Sequence, residues 1–378
     1  MSSVTNTVRG AIGHAISSKK SDGSPQLILL TGASGFVAAH VLNSLLQKGY
    51  SVRGTVRSDA TAEKVRKTHS HLLSGDNSRL TFSIVPDVAQ PGAFDEAVKG
   101  VDGVIHTASP RIIQVENNER DLLDPAIKGT TEILKAVQKN APQVKRIVIT
   151  SSFAAIVDLT QGARPVYTYT EKDWNPVTYE QAKGGDGGTA YCASKTFAEK
   201  AAWDFVENEK PKFNVATICP PMTYGPLDHD ASLDHLNLSS ADIYRLMNGS
   251  QKEPGPTVFP GTMTPLKSSA PNTDLIVVAF ADVRDVGEAH VKAYENPQSS
   301  RYLIASGNFQ YPDVCAIIKK ALPSYASKVP DPSLTEKVET FAVDNSHARN
   351  ALGLHFATLD QTISDTAKSL ARLQEAQA

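Results

Sequence analysis

Thr31-Gly32-Ala33-Ser34-Gly35-Phe36-Val37-Ala38 follows the apolar run Leu27–Leu30 and opens a stretch, Gly35–Lys48, whose apolar residues recur at helical spacing. A strand that turns on glycines into a helix is suited to holding a dinucleotide phosphate. Gly32 permits the tight turn, Gly35 lets the backbone approach a pyrophosphate, and Ala38 leaves room for the helix to pack on the sheet. The helix N-terminus adds amides and the positive end of its dipole. Gly32, Ser34, Gly35, Phe36 and Val37 are therefore the expected phosphate cradle.

The same alternation continues outward. Val52–Val56, Leu80–Val85, Val101–His106, Val144–Thr150 and Val215–Cys219 read as short buried strands. Helical spacing falls between them, near Ala62–Leu73, Leu122–Lys139 and Tyr191–Glu209. Strands alternating with helices predict an α/β fold, a doubly wound parallel (Rossmann) sheet covered on both faces, with ligands at the carboxyl ends of the strands. Past Cys219, prolines at 220, 221, 226, 254, 256, 260, 265 and 271 break the rhythm and imply loop or short helix. Strands return at Leu275–Phe280 and Tyr302–Ala305, with helices near Val286–Glu295 and Leu359–Leu373. The expected organisation is a flexible tail (1–25), a dinucleotide-binding domain that carries the catalytic helix (26–219), and a substrate-binding segment (220–271). A return to the sheet (272–306) and helices of a smaller, partly C-terminal substrate region (307–378) complete it.

The 378 residues are 40% hydrophobic and 21% charged, ordinary for a globular protein. A formal net charge of −2 gives no electrostatic reason to expect nucleic acid or an anionic membrane as partner. The three cysteines (Cys192, Cys219, Cys315) show no paired spacing, which favours a reducing, cytoplasmic setting. No apolar run approaches the ~18–20 residues that span a bilayer. The first 25 residues hold Arg9, Lys19, Lys20 and a single acid, Asp22, and read as a disordered tail or an organellar presequence.

The second strand ends Gly54-Thr55-Val56-Arg57-Ser58. A cofactor without a ribose 2′-phosphate would usually meet an Asp or Glu here. Arg57 and, seven residues on, Lys64 suit a 2′-phosphate, which favours NADPH over NADH; Asp59 could serve a ribose if the strand ended later. Tyr191-Cys192-Ala193-Ser194-Lys195 puts a phenol and an ammonium one helical turn apart on one face. Hydride addition to a carbonyl leaves charge on oxygen, so a reductase needs a proton donor there. A tyrosine whose pKa, ordinarily about 10, is lowered by the lysine could serve. The hydroxyls of Thr150-Ser151-Ser152, at the end of the fifth strand, could bind the carbonyl oxygen.

These motifs resemble those of the extended short-chain dehydrogenases/reductases. Within that family the chain is similar to the NADPH-dependent carbonyl and aldehyde reductases of fungi and the plant dihydroflavonol reductases, over roughly residues 26–375. The likeness rests on Thr31–Ala38, Gly54–Ser58, Val104-Ile105-His106-Thr107-Ala108-Ser109-Pro110, Thr150–Ser152, Tyr191–Lys195 and Asp282-Val283-Arg284-Asp285-Val286. It implies Ser152, Tyr191 and Lys195 as the catalytic triad and Arg57 and Lys64 at the 2′-phosphate. It further implies Asp87 and Val88 near adenine, Thr107, Ala108 and Ser109 beside the cofactor, and Pro220 near the nicotinamide. Ala126-Ile127-Lys128-Gly129 departs from the asparagine that many relatives use in a proton relay, so water or another group must serve. Lys183-Gly184-Gly185-Asp186-Gly187-Gly188 reads either as a flexible flap or as a tolerated surface insertion.

Phe153, Met222, Tyr224 and His229 are candidates for the substrate wall, with core packing as the alternative for the first three. His106 and Cys192 read as packed residues. His229, Asp230, Asp234 and His235 lack zinc-ligand spacing, so no metal is expected. The expected activity is NADPH-dependent reduction of a small-molecule aldehyde or ketone by a monomer or homodimer. Alcohol oxidation, sugar-nucleotide epimerisation or dehydration, and non-catalytic NADPH sensing are the alternatives.

Overall fold

In the computed structural model, described over residues 18–109, 115–255, 278–335 and 339–377, the strands are β1 (Leu27–Thr31), β2 (Ser51–Val56), β3 (Leu80–Ile84), β4 (Gly103–His106), β5 (Arg146–Thr150), β6 (Thr168–Tyr169), β7 (Asn214–Cys219), β8 (Met222–Tyr224), β9 (Val278–Asp282), β10 (Ser300–Leu303), β11 (Gly307–Phe309) and β12 (Ala342–Val343). The helices are α1 (Phe36–Gln47), α2 (Asp59–His69), α3 (Asp124–Asn140), α4 (Tyr179–Gly184), α5 (Gly187–Glu209), α6 (Leu238–Met247), α7 (Val283–Glu295), α8 (Tyr311–Ala321), α9 (Ser346–Leu352) and α10 (Leu359–Gln377). Seven parallel strands make the central sheet in the order β3-β2-β1-β4-β5-β7-β10. The chain winds outward in both directions from β1 and β4, which places the binding crevice at their carboxyl ends.

The period-two alternation of β1 shows why both faces are covered. Ile28 and Leu30 pack with Val41, Leu45, Val286 and Ala289 of α1 and α7. Leu29, pointing the other way, packs with Ile133 and Leu134 of α3 and Ala202 of α5. A second layer holds β11-β9-β8, where β8 and β9 are parallel and β11 antiparallel. Tyr224, Phe280 and Phe309 of that sheet pack with Ile243, Ile318 and Leu370 of α6, α8 and α10. Strands β6 and β12 form a separate parallel pair.

Several expected boundaries move, and side-chain caps explain two of them. The helix that carries Tyr191, expected to begin there, starts at Gly187 because Asp186 accepts the amides of Gly188 (2.8 Å) and Thr189 (3.0 Å). The helix expected from Val286 starts at Val283 because Asp282 accepts the amide of Arg284 (2.9 Å). The strand expected at Tyr302–Ala305 occupies Ser300–Leu303. Of the strand expected at Leu275–Phe280, residues 275–277 lie outside the described residues, as do 256–271 of the substrate segment and 1–17 of the tail.

The glycine-rich run before Tyr191 forms the junction between α4 and α5. Thr178 and Gln181 close a capping box at the start of α4, and Asp186 caps α5. Between them, a Cβ on Gly185 would lie 2.6 Å from the Gln181 carbonyl oxygen. Gly185→Ala is therefore expected to destabilise the fold by about 1–3 kcal/mol, read as a lowered thermal midpoint. An unchanged midpoint would mean the junction yields at no cost.

Candidate active site

Thr31 ends β1 with its hydroxyl fully engaged. It accepts the amides of Thr107 and Ala108, both at 3.1 Å, so its own proton goes to Nδ1 of His106 at 2.9 Å. Thr107 Oγ1 returns a hydrogen bond to the Thr31 carbonyl. The β1 and β4 ends are thus stitched together across the crevice. Gly32 then turns at φ +68°, and a Cβ there would meet the Ala108 Cα at 3.0 Å. The Gly32 amide donates to Thr55 Oγ1 (3.0 Å), tying the turn to β2. Helix α1 has no side-chain cap on Gly35 and no acid in its first turn. Its amino end, with Ser34 and Gly35 before Phe36 and Val37, keeps an unneutralised dipole for an anion.

Along the crevice, Arg57 sits exposed just past β2, with no hydrogen bond or ion pair among the described residues. Lys64 is otherwise placed. It donates to Asp230 at 2.7 Å, both side chains more than half exposed. Asp59 lies in the first turn of α2, behind the Ser58 cap. Past β3, Asp87 accepts the Ala89 amide (2.9 Å) and Val88 is half-buried. An uncapped helix start, a glycine turn with no room for a side chain, and a free guanidinium together fit a dinucleotide carrying an extra phosphate.

The serine-bearing strand end is held from its neighbour. The Ser151 amide donates to Ile218 O (2.7 Å) and the Phe153 amide to Pro220 O (2.9 Å), which fixes Ser152 between them. Ser152 Oγ accepts the Ala154 amide (3.1 Å) and lies near enough to the Tyr191 phenol to lower its pKa. Lys195, one turn along α5, lies 5.7 Å from the Tyr191 ring centroid and donates to Ser109 Oγ (3.2 Å). Burial pushes the Tyr191 phenol up to about 12, and Ser152 lowers it only in part. Burial also lowers the Lys195 ammonium. Burial thus works against the lowering expected from Lys195.

Behind Lys195 is a cavity of about 30 Å³, lined in part by His106, Ala126, Gly129, Thr130, Ser151 and Glu199. It has room for roughly two waters. Ala126, at the position where the family resemblance implies an asparagine, lines it.

His106 and His290 lie below this edge, each held down to about 4 chiefly by burial. His290 Nε2 meets Thr150 Oγ1 at 2.7 Å, and its Nδ1 donates to Val286 O. Both histidines are depressed below an unfolded value of about 6.5, so their contribution is complete above that pH and is lost as pH falls toward 4. The thermal midpoint should fall across that window; a midpoint flat from about pH 7 to 5 would contradict it.

The expected substrate wall divides. Phe153 is buried against Tyr169 and Phe341. Tyr224 is 1% exposed and donates its hydroxyl to Asp242 (2.7 Å). For these two the packing alternative describes the structure, because their surfaces are spent on the core. Met222 is half-buried against the α6–α8–α10 cluster. His229 leaves the strand end to lie on Phe36, ring centroids 5.7 Å apart, outside α1. Burial brings it down to about 4. Cys192, Cys219 and Cys315 are buried free thiols.

Sequence reasoning missed Glu199. It follows Tyr191 and Lys195 at successive four-residue steps, so the three share a helix face, and that spacing was readable. Its side chain is fully buried and paired with Arg301 (2.8 Å).

A parallel seven-stranded sheet, a glycine turn into an uncapped helix, and a tyrosine–lysine helix beside a strand-end serine define a nucleotide-dependent oxidoreductase fold. Residues 28–305 match the NAD dependent epimerase/dehydratase family, and the chain belongs to it, among its extended short-chain dehydrogenase/reductase members. A putative uncharacterized oxidoreductase of Schizosaccharomyces pombe is 40% identical over 92% of this chain and 97% of its own length. A putative NADPH-dependent methylglyoxal reductase of Candida albicans is 36% identical over 91% and 98%. The crystal structure of yeast methylglyoxal/isovaleraldehyde reductase Gre2 complexed with NADPH superposes with a TM-score of 0.80 at 31% identity, covering 93% and 99% of the two chains. Among the described residues no helix is long and apolar enough to cross a membrane.

Proposed function

We propose that this protein is an NADPH-dependent carbonyl reductase that converts a small aldehyde or ketone to the alcohol, with Tyr191 as proton donor. The observation that carries the reading is the Tyr191–Lys195 pair on one turn of α5, with Lys195 5.7 Å from the Tyr191 ring centroid and hydrogen-bonded to Ser109 beside the Gly32 turn, and with Ser152 near the phenol. The relatives named for NADPH-dependent reduction of methylglyoxal support the cofactor and the substrate class.

Gly32, Ser34, Gly35, Phe36 and Val37 would hold the pyrophosphate, and Arg57 the 2′-phosphate, with Lys64 joining if it leaves Asp230. Asp87 and Val88 would border the adenine. Thr107, Ala108, Ser109 and Pro220 would flank the nicotinamide half, and Lys195 would reach its ribose. The bound cofactor supplies the hydride. Ser152 Oγ donates to the carbonyl oxygen and orients it, while Tyr191 gives up its proton as charge grows on that oxygen. Lys195 then stabilises the phenolate, and water in the cavity behind it can return the proton.

Arg57 in place of an acidic ribose partner argues against the sugar-nucleotide epimerases and dehydratases that the family name also covers. Following NADPH absorbance against aldehydes, diketones, ketoesters and flavonoid-like ketones tests the reading. Turnover of at least one carbonyl with NADPH is expected; binding of NADPH with no turnover across the panel would reject it in favour of a sensor.

A further inference from the structure

Glu199 is a buried carboxylate that the reaction does not consume, and it is bonded on every side. Its Oε2 accepts Ser151 Oγ (2.5 Å) and Arg301 Nη2 (3.2 Å). Its Oε1 accepts Thr217 Oγ1 (2.7 Å), Arg301 Nε (2.8 Å) and Trp203 Nε1 (3.3 Å). Arg301 continues outward to the carbonyls of Ala155 (3.0 Å), Glu171 (2.9 Å) and Asp173, with its guanidinium 3.7 Å from the Trp174 ring centroid. Burying such a pair costs desolvation that its attraction seldom more than offsets, so it is an inefficient way to gain stability alone. What it supplies is direction: donors on Ser151, Thr217, Trp203 and Arg301, with the Cys219 thiol, fix the carboxylate in one place.

That place matters because of what lies on either side. Glu199 is two turns along α5 from Tyr191 and one from Lys195. Ser151, which it grips, is the immediate neighbour of Ser152, and Ala155, whose carbonyl its partner grips, closes the turn that Ser152 opens by donating its amide to Ser152 O (3.0 Å). We propose that Glu199, with Arg301, is a positioning residue that sets the spacing between the Ser152 hydroxyl and the Tyr191 phenol by clamping the serine-bearing strand end to the catalytic helix. This rests on the function proposed above. Without the clamp, strand end and helix would be joined mainly by side-chain packing, which tolerates shifts that general-acid catalysis does not.

The test compares two variants that each remove one hydrogen bond to the same carboxylate. Ser151→Ala cuts the link to the strand end that carries Ser152; Thr217→Val cuts a link to β7. Expected for Ser151→Ala is a kcat about tenfold lower or less, with carbonyl KM and NADPH Kd within about twofold of the parent. Thr217→Val should lower the thermal midpoint by as much yet keep kcat within about twofold. Equal kcat losses in both, or none in Ser151→Ala, overturn the inference, since a purely structural network would not distinguish them. Glu199→Gln, if folded, should share the kcat loss, and full activity would likewise overturn it; if it does not fold, the first pair decides. Tyr191→Phe measured alongside separates the two levels. An active Tyr191→Phe rejects the proposed function, whereas an inactive one beside an unimpaired Ser151→Ala rejects only the role of Glu199.

Discussion

Tyr191→Phe is expected to lower kcat for carbonyl reduction by about 10²–10⁴-fold, the usual worth of a positioned general acid, while NADPH Kd changes little. Phenylalanine keeps the ring and loses only the hydroxyl. Stopped-flow absorbance for turnover and NADPH fluorescence for binding separate the two quantities. Turnover near that of the parent would remove Tyr191 from the mechanism. The same phenol sets a direction with pH. Held up to about 12 by burial, it is protonated throughout the neutral range, so reduction should be insensitive to pH there. Alcohol oxidation, which needs the phenolate, should accelerate as pH rises toward that value; equal pH dependence in both directions would contradict the assignment.

Arg57→Asp is expected to weaken NADPH about 100-fold or more and to leave NADH little changed. The substitution removes charge-assisted hydrogen bonds and sets a carboxylate against the 2′-phosphate. Arg57 is free to respond because it has no ion pair among the described residues. Lys64 begins paired with Asp230, so Lys64→Ala should cost less than Arg57→Asp. Titrations with both cofactors at low and high salt check the point, since the Arg57 effect should shrink as salt screens it. An unchanged NADPH to NADH ratio in Arg57→Asp would show that the phosphate lies elsewhere.

The sheet was legible because its strands are short, buried and bracketed by helical spacing, as Leu27–Thr31 before Phe36–Gln47 shows. The Tyr191–Lys195 turn was legible for the same reason: a four-residue step has one geometric meaning on a helix. Helix starts were less so. Asp186 and Asp282 begin α5 and α7 several residues early through side-chain bonds that periodicity does not report. The phenol's burial was not legible, because charge can be read from neighbours in sequence, whereas desolvation depends on residues far along the chain. The substrate wall was least legible. Tyr224 and Phe153 end near the right edge, but their aromatic faces find partners in Phe309, Asp242, Tyr169 and Phe341, none adjacent in sequence.

Only Pro220 and Pro221 separate β7 from β8, and the carbonyl of the first receives the amide of Phe153. A link of two ring-locked residues has little give. A displacement at Met222 would travel through it to the serine turn instead of dissipating on the way. Substitutions that shift β8 are therefore expected to disturb the Ser152 turn as well, so the two segments cannot be remodelled independently.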